Sequence, residues 1–300
     1  MLYYRRKILL ALLYSFGGEL TAKSLQKYLF LISQKQKEQS YDFIPYKYGC
    51  FSFQANQDVY TLQKYGYINI IQKEDGRFIH LIKQQEDYYS YIKSSDKDIL
   101  NEIKNKFGSL SQMDLIRYTY IEYPFYAIKS SIAQNILTNK EYVQVLKQKK
   151  TYNDSMLFTI GYQGISLEAY ICTLINNDVR VLCDVRKNAY SQKYGFSKSQ
   201  LQKACEGVDI KYIHIPSLGI DSTNRQNLNS QEDYDKLFEI YKITTLKDNT
   251  YSLNVIRELL RKEKRIALTC FEKDPNQCHR TYIAQQLMQI EDRDYKLKNL

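Results

Sequence analysis

Leu268-Thr269-Cys270-Phe271-Glu272-Lys273-Asp274-Pro275-Asn276-Gln277-Cys278-His279-Arg280 decides how the second half of this chain folds. The apolar run Ile266 to Phe271 is short and bounded, as a buried parallel strand would be. Asp274-Pro275-Asn276 is turn chemistry, because proline presets φ and Asp and Asn satisfy their own backbone. Cys278, His279 and Arg280 then fall in the first turn of a helix, where unpaired N–H groups favour anions. The stretch therefore reads strand, polar loop, helix. It gathers a thiol, an imidazole and a guanidinium beside Glu272.

Working outward, the same alternation recurs. Leu157–Ile160, Val179–Val185, Ile210–Ile215 and Ile266–Phe271 read as strands. Helices are expected near Ser166–Asn176, Ser199–Glu206, Ser230–Tyr241, Leu253–Lys262 and Cys278–Ile290. Such alternation predicts an α/β domain with a mostly parallel, Rossmann-like sheet. Ligands in these sheets sit at the carboxyl ends of strands. Gly161-Tyr162-Gln163-Gly164, Asp184 with Arg186, His214 to Gly219, and Glu272 with Cys278-His279-Arg280 follow the four strands in turn.

Three hundred residues suffice for two domains, each with its own core. The polar, basic segment Lys147 to Asp154 marks the expected boundary, giving domains 1–150 and 151–300. Lys and Arg outnumber Asp and Glu by 22 to 14 over residues 1–150 and by 21 to 19 over 151–300. The net charge of +10 thus sits mainly in the first half, the polarity expected of a nucleic-acid contact. A basic, merely soluble surface is the plainer alternative. Six scattered cysteines with no CxxC pair exclude a disulfide framework and fit a reducing compartment. No apolar run is long enough to span a bilayer, and Ile8 to Leu13 reads as part of a folded helix, so we expect a cytoplasmic protein.

The first half reads as three helices and a hairpin. Arg5 to Phe16 has helical spacing and stops at Gly17-Gly18. Thr21 caps a second helix to about Gln34, and the loop Phe43 to Gly49 follows. Ser52 caps a third helix that ends at Gly66. Tyr67–Ile71 and Phe78–Ile82 flank the turn Glu74-Asp75-Gly76. This is the order of a winged helix, whose third helix commonly enters the major groove. Gln54, Asn56, Gln57 and Lys64 on that helix, with Lys73 and Arg77 at the wing, are the candidate DNA contacts, with RNA as the lesser expectation. A winged helix used for dimerisation or protein contact is the alternative. Further helices are expected at Asp96–Phe107, Ser111–Glu122 and one ending near Val145, with Pro124 as a breaker.

Two resemblances follow. Phe158 to Gly164, Leu182-Cys183-Asp184-Val185-Arg186, Ser191 with Gly195 to Lys198, Tyr212 to Gly219, and Cys270 to Pro275 with Cys278-His279-Arg280 resemble the bacterial family called domain of unknown function 488, over about residues 155–290. The chain departs from that pattern at Ala189 and at Gln192-Lys193, where the family has proline and two basic residues. The resemblance implies an α/β domain with a polar site and no established reaction. More faintly, the helix Leu20–Gln34 with Pro45-Tyr46-Lys47-Tyr48-Gly49 resembles Panacea-type antitoxin and adaptor domains, which implies a protein partner. Prokaryotic defence or regulation is the setting these suggest.

The chemistry read from the residues is as follows. Cys278 at a helix start near Arg280 is expected to have a lowered thiol pKa and to act as a nucleophile. Asp184 and Glu272 are candidates for general acid and base, with His279 as another; pairing of Asp184 with Arg186 in a buried network is the structural alternative. Gly161, Tyr162, Gly164, Arg186, Ser191 and Arg280 would bind a nucleotide or phosphate-bearing group. No GxGxxG or Walker pattern supports a named cofactor. A zinc set of Cys270, Cys278, His279 and His214 fits no structural-zinc spacing, so no metal is expected. The leading expectation is a nucleic-acid-associated protein that binds and processes such a group. A homodimeric ligand-sensing regulator and an antitoxin-like adaptor are the alternatives.

Overall fold

The computed structural model describes residues 2–74, 76–82, 86–221, 228, 230–289 and 294–300. Asp75 of the expected wing turn and Ile290 of the expected last helix lie outside them. The chain divides into two compact units, Met1–Lys149 and Lys150–Leu300.

The first unit is rich in helices. It begins α1 (Tyr4–Ser15), β1 (Glu19–Thr21), α2 (Ala22–Lys35), β2 (Ile44–Tyr46), β3 (Gly49–Phe51), α3 (Phe53–Lys64), β4 (Ile68–Lys73) and β5 (Gly76–Leu81). It continues through α4 (Ser94–Phe107), α5 (Gln112–Glu122), a single turn α6 (Ala133–Ile136) and α7 (Asn139–Gln148). Thr21 and Ser52 cap α2 and α3, their hydroxyls accepting from the Ser24 and Ala55 amides. The three-stranded sheet has the order β1-β5-β4 and is antiparallel throughout, with Ile71 opposite Phe78 and Leu20 opposite Ile79. Ile8, Leu9, Leu12, Leu29, Ile32 and Leu62 lie in its core.

Two features differ from the expectation. The segment around Pro45 is a hairpin rather than a loop, since β2 and β3 pair antiparallel with Tyr46 opposite Gly49. Proline is tolerated there because the hairpin has only two strands and its N–H is not needed. The second is a buried carboxylate. Asp58, in the middle of α3, is fully buried. It accepts from Arg5 Nε at 2.6 Å, Arg6 Nε at 2.7 Å and the Tyr41 hydroxyl at 3.2 Å. One carboxylate thereby ties α1 to α3.

The second unit is β6 (Ser155–Gly161), α8 (Leu167–Asn176), β7 (Val181–Asp184), α9 (Lys198–Glu206), β8 (Lys211–His214), α10 (Gln231–Tyr241), α11 (Thr250–Glu263), β9 (Arg265–Cys270), α12 (His279–Met288) and β10 (Tyr295–Asn299). The five strands are parallel in the order β10-β6-β9-β7-β8, so this unit is the expected α/β fold. The edge strand β10 is an addition to the four strands read from sequence. Leu157, Val181, Cys183, Val185, Ile266 and Leu268 pack with Ile256, Leu260, Ile283 and Leu287 of α11 and α12. Phe158, Ile160, Leu182 and Ala267 have the opposite parity and are as deeply buried, so they face the other helical layer. No helix among the described residues is long and apolar enough to cross a membrane.

Removing one partner of a buried ion pair leaves the other charge uncompensated, at a cost of about 3–5 kcal/mol. Asp58→Ala strands two arginines at once. It is expected to destabilise the first unit by about that much, read as an earlier denaturant transition. A change under about 0.5 kcal/mol would show that Asp58 does not hold α1 to α3.

Candidate active-site crevice

Parallel strands put their carboxyl ends on one edge, and β6, β9 and β7 are neighbours there. β6 and β7 are followed by α8 and α9, whereas β9 is followed by α12, which packs on the opposite face. That reversal opens a crevice of the kind in which such sheets bind ligands. Its volume is about 400 Å³, and its lining includes Tyr162, Arg186, Lys187, Ser191, Cys270 and His279. Tyr162, Arg186 and Ser191 were expected at this edge, and the structure brings them together. Gly164 has φ +82° and turns the chain towards α8.

Asp184 and Arg186 form a closed pair. Asp184 accepts from Arg186 Nη2 at 2.5 Å, Arg186 Nε at 2.8 Å, the Arg186 amide at 3.1 Å and the Tyr212 hydroxyl at 2.6 Å. Arg186 Nη1 donates onward to the Tyr162 hydroxyl at 2.6 Å and the Phe196 carbonyl at 2.9 Å. The Tyr162 ring stacks on Phe196 at 4.3 Å. Both charged groups are buried. Four donors occupy the Asp184 carboxylate, which corrects its expected place as a general acid or base: it is the anchor of Arg186. The same pairing holds the Arg186 guanidinium well above its ordinary pKa against the opposing effect of burial, and little of it is left for a phosphate.

Arg280 also has a different task from the expected anion contact. It is buried, and its Nη1 and Nη2 donate to the Glu272 and Lys273 carbonyls at 2.5 and 3.2 Å. Gly161 makes room for this. A Cβ there would drive into the Glu272 carbonyl oxygen. The Tyr162 and Gln163 amides hold the Phe271 carbonyl from the other side, at 3.1 and 2.9 Å. The loop after β9 is thus folded back, and Cys278 returns over Cys270.

Cys278 is the N-cap residue of α12, just outside its first turn. It is fully buried, and burial pushes its thiol well above the ordinary range, with the neighbouring Cys270 adding to the effect. The expected lowered pKa is therefore overturned. Removal from water penalises the thiolate more than Arg280, whose donors face carbonyls, can favour it. His279 is buried. Its Nε2 lies 2.9 Å from the Val185 carbonyl and its Nδ1 3.7 Å from Cys270 Sγ. Glu272 reaches Cys270 Sγ with Oε2 at 3.2 Å. His214, in contrast, faces the Arg186 carbonyl at 2.9 Å. Cys270, at the end of β9, joins this group through proximity in space and not through spacing in sequence.

In the first unit the candidate contacts divide. Arg77 Nη2 donates to Asn56 Oδ1 at 2.9 Å and Arg77 Nη1 to the Tyr60 hydroxyl at 2.7 Å. Lys64 is exposed at the end of α3, and Gln57 is half-buried. Gln54 is turned to Asp58 at 3.4 Å, and Lys73 pairs with Glu19 at 3.1 Å. Tyr60 was not among the expected contacts, although its place one turn beyond Asn56 could have suggested it. A second cavity, of about 260 Å³, is lined in part by Lys27, Tyr46, Tyr48, Cys50 and Phe51. Lys27 is buried there and donates to the Cys50 carbonyl at 2.8 Å. Burial lowers its pKa.

Two outcomes follow from this geometry. Gly161→Ala forces the loop after β9 away from β6 and is expected to destabilise the second unit by about 1–3 kcal/mol, the usual cost of overpacking, read by thermal unfolding. In chelator-treated native protein, Cys172, which is only half-buried, is expected to be alkylated at least about tenfold faster than Cys278, since the thiolate is the reactive form. Faster labelling of Cys278 at neutral pH would restore it as an activated nucleophile.

A search of curated proteins finds no match to the chain. A family model does match: residues 166–287 fit the family described as "Domain of unknown function DUF488". That span runs from the cap of α8 into α12 and includes β7, β8 and β9 with the Asp184–Arg186 pair and the Cys270–Arg280 loop. Over that span the chain is similar to the DUF488 family.

Proposed function

We propose that this is a nucleic-acid-associated protein whose first unit holds DNA in preference to RNA and whose second unit binds a nucleotide or other phosphate-bearing group in the crevice. The observation that carries the reading is the Arg77 contact. The hairpin guanidinium is fixed on Asn56 and Tyr60 of α3, so hairpin and helix offer one surface. The order α1, β1, α2, β2, β3, α3, β4, β5 with the sheet β1-β5-β4 supports reading this unit as a winged helix with an inserted β2–β3 hairpin, in which such a surface would meet the major groove and the flanking phosphates. The basic excess of the first half supports the same polarity.

In the second unit, Lys187 and Ser191 at the crevice rim take over the phosphate contacts that Arg186 and Arg280 cannot supply. Their side chains provide a cation and a hydroxyl donor.

A second reading has its own observation. The cavity beside β2 and β3 has much more apolar than polar lining and falls on the segment that resembles adaptor-like domains. It would suit an apolar side chain of a protein partner.

Binding to labelled duplex DNA, single-stranded DNA and RNA across a salt series separates the two. We expect duplex binding that weakens steeply with salt, and a slope reduced by about 1 in Lys64→Ala. Absence of binding to all three at low salt would overturn the nucleic-acid reading and favour the protein partner.

A further inference from the structure

We infer that Cys270, Cys278 and His279 form a site for a thiophilic divalent metal ion, zinc foremost, at the floor of the crevice. One ligand atom from each, Sγ, Sγ and Nδ1, lies within 4.8 Å of the others. A tetrahedral zinc with bonds of about 2.3 Å to sulfur and about 2.0 Å to nitrogen needs ligand atoms roughly 3.5–3.8 Å apart. The Cys270 Sγ to His279 Nδ1 separation of 3.7 Å already meets that requirement.

The imidazole provides the independent indication. A carbonyl can only accept, so the 2.9 Å contact with Val185 O fixes the proton on Nε2. Nδ1 is then the lone-pair nitrogen, and it faces the two sulfurs. A ligating histidine commonly anchors its other nitrogen on a carbonyl in this way. Glu272 Oε2 touches Cys270 Sγ at 3.2 Å but does not lie within 4.8 Å of all three ligand atoms, so the site as built is three-ligand and the fourth position falls to solvent or substrate. Two thiolates and an imidazole form a donor set suited to zinc rather than to magnesium or calcium.

The sequence spacing hid this set. Structural zinc sites usually take two ligands from one tight turn, such as C-x₂₋₄-C. Here Cys270 ends β9, while Cys278 and His279 open α12. The ligands meet because Arg280 holds the intervening loop folded back. Cys270 and His279 both line the crevice, so a bound ion would be reachable from it. The inference does not depend on the nucleic-acid reading, which concerns the other unit.

Binding displaces one proton from each thiol, so one ion enters and two protons leave. Reduced, chelator-stripped full-length protein is titrated with Co²⁺ and then Zn²⁺. We expect thiolate-to-cobalt charge transfer saturating at one equivalent, with the ligand-field bands of a tetrahedral ion, both removed by Zn²⁺. Proton release near two per ion should accompany it. Cys270→Ser and His279→Ala are expected to weaken binding at least about tenfold, whereas Cys205→Ser, away from the cluster, leaves it unchanged. X-ray absorption on the zinc-loaded wild type should show two sulfur neighbours and at least one nitrogen, an outcome that does not rely on any variant folding. No charge transfer in reduced wild-type protein, equal binding by Cys270→Ser, or a Cys270–Cys278 disulfide in place of metal would each overturn the inference.

Discussion

The guanidinium of Arg280 determines the geometry of the crevice. Itself buried, it holds two consecutive backbone carbonyls, those of Glu272 and Lys273, beside β6. A buried guanidinium needs acceptors, and hydrogen bonds from a charged donor are among the stronger ones. Only a glycine at 161 lets the loop come close enough to be held. From that single clamp follow the return of Cys278 to Cys270, the entry angle of α12 and the placing of His279 under the crevice. A basic residue that reads as an anion contact in the sequence is, in the fold, a strut.

The neighbouring pair follows the same logic. Asp184 and Arg186 are two residues apart at the end of β7, and the carboxylate takes two guanidinium bonds and a backbone amide at once. Tyr212 from β8 and Tyr162, just after β6, close the network. Such a network satisfies buried charge and fixes the strand ends relative to one another, which counts more for the shape of the crevice than for net stability. Lys187 and Ser191 line the crevice beside this network, together with Cys270 and His279.

The parallel sheet was legible because each of its four strands other than β10 is a short, mainly apolar run bounded by turn residues. The caps at Thr21 and Ser52 were legible for the same local reason. Strand β10 was not: Tyr295-Lys296-Leu297-Lys298-Asn299 is too polar to stand out, as an edge strand with one paired side can afford to be. The β2–β3 hairpin was hidden by Pro45 and Gly49, which read as loop residues. At the site, sequence indicated which residues gather at the edge, since strand direction alone dictates that. It could not indicate partners. Asp184, Arg280 and Cys278 each have a plausible chemical task in isolation, and only the contacts show that the first two are structural and the third is buried. Asp58 carried no signal at all, because an acidic residue within a helix normally faces water.

Strand β10 pairs with β6 on one side and ends the sheet on the other. Its alternate residues Lys296 and Lys298 are exposed. An unpaired parallel edge is a template for another chain, and lysines are among the devices that discourage such pairing. The family match ends at residue 287, before this strand begins. β10 thus gives this edge of the sheet an exposed, lysine-bearing strand, a composition that disfavours strand addition by another chain.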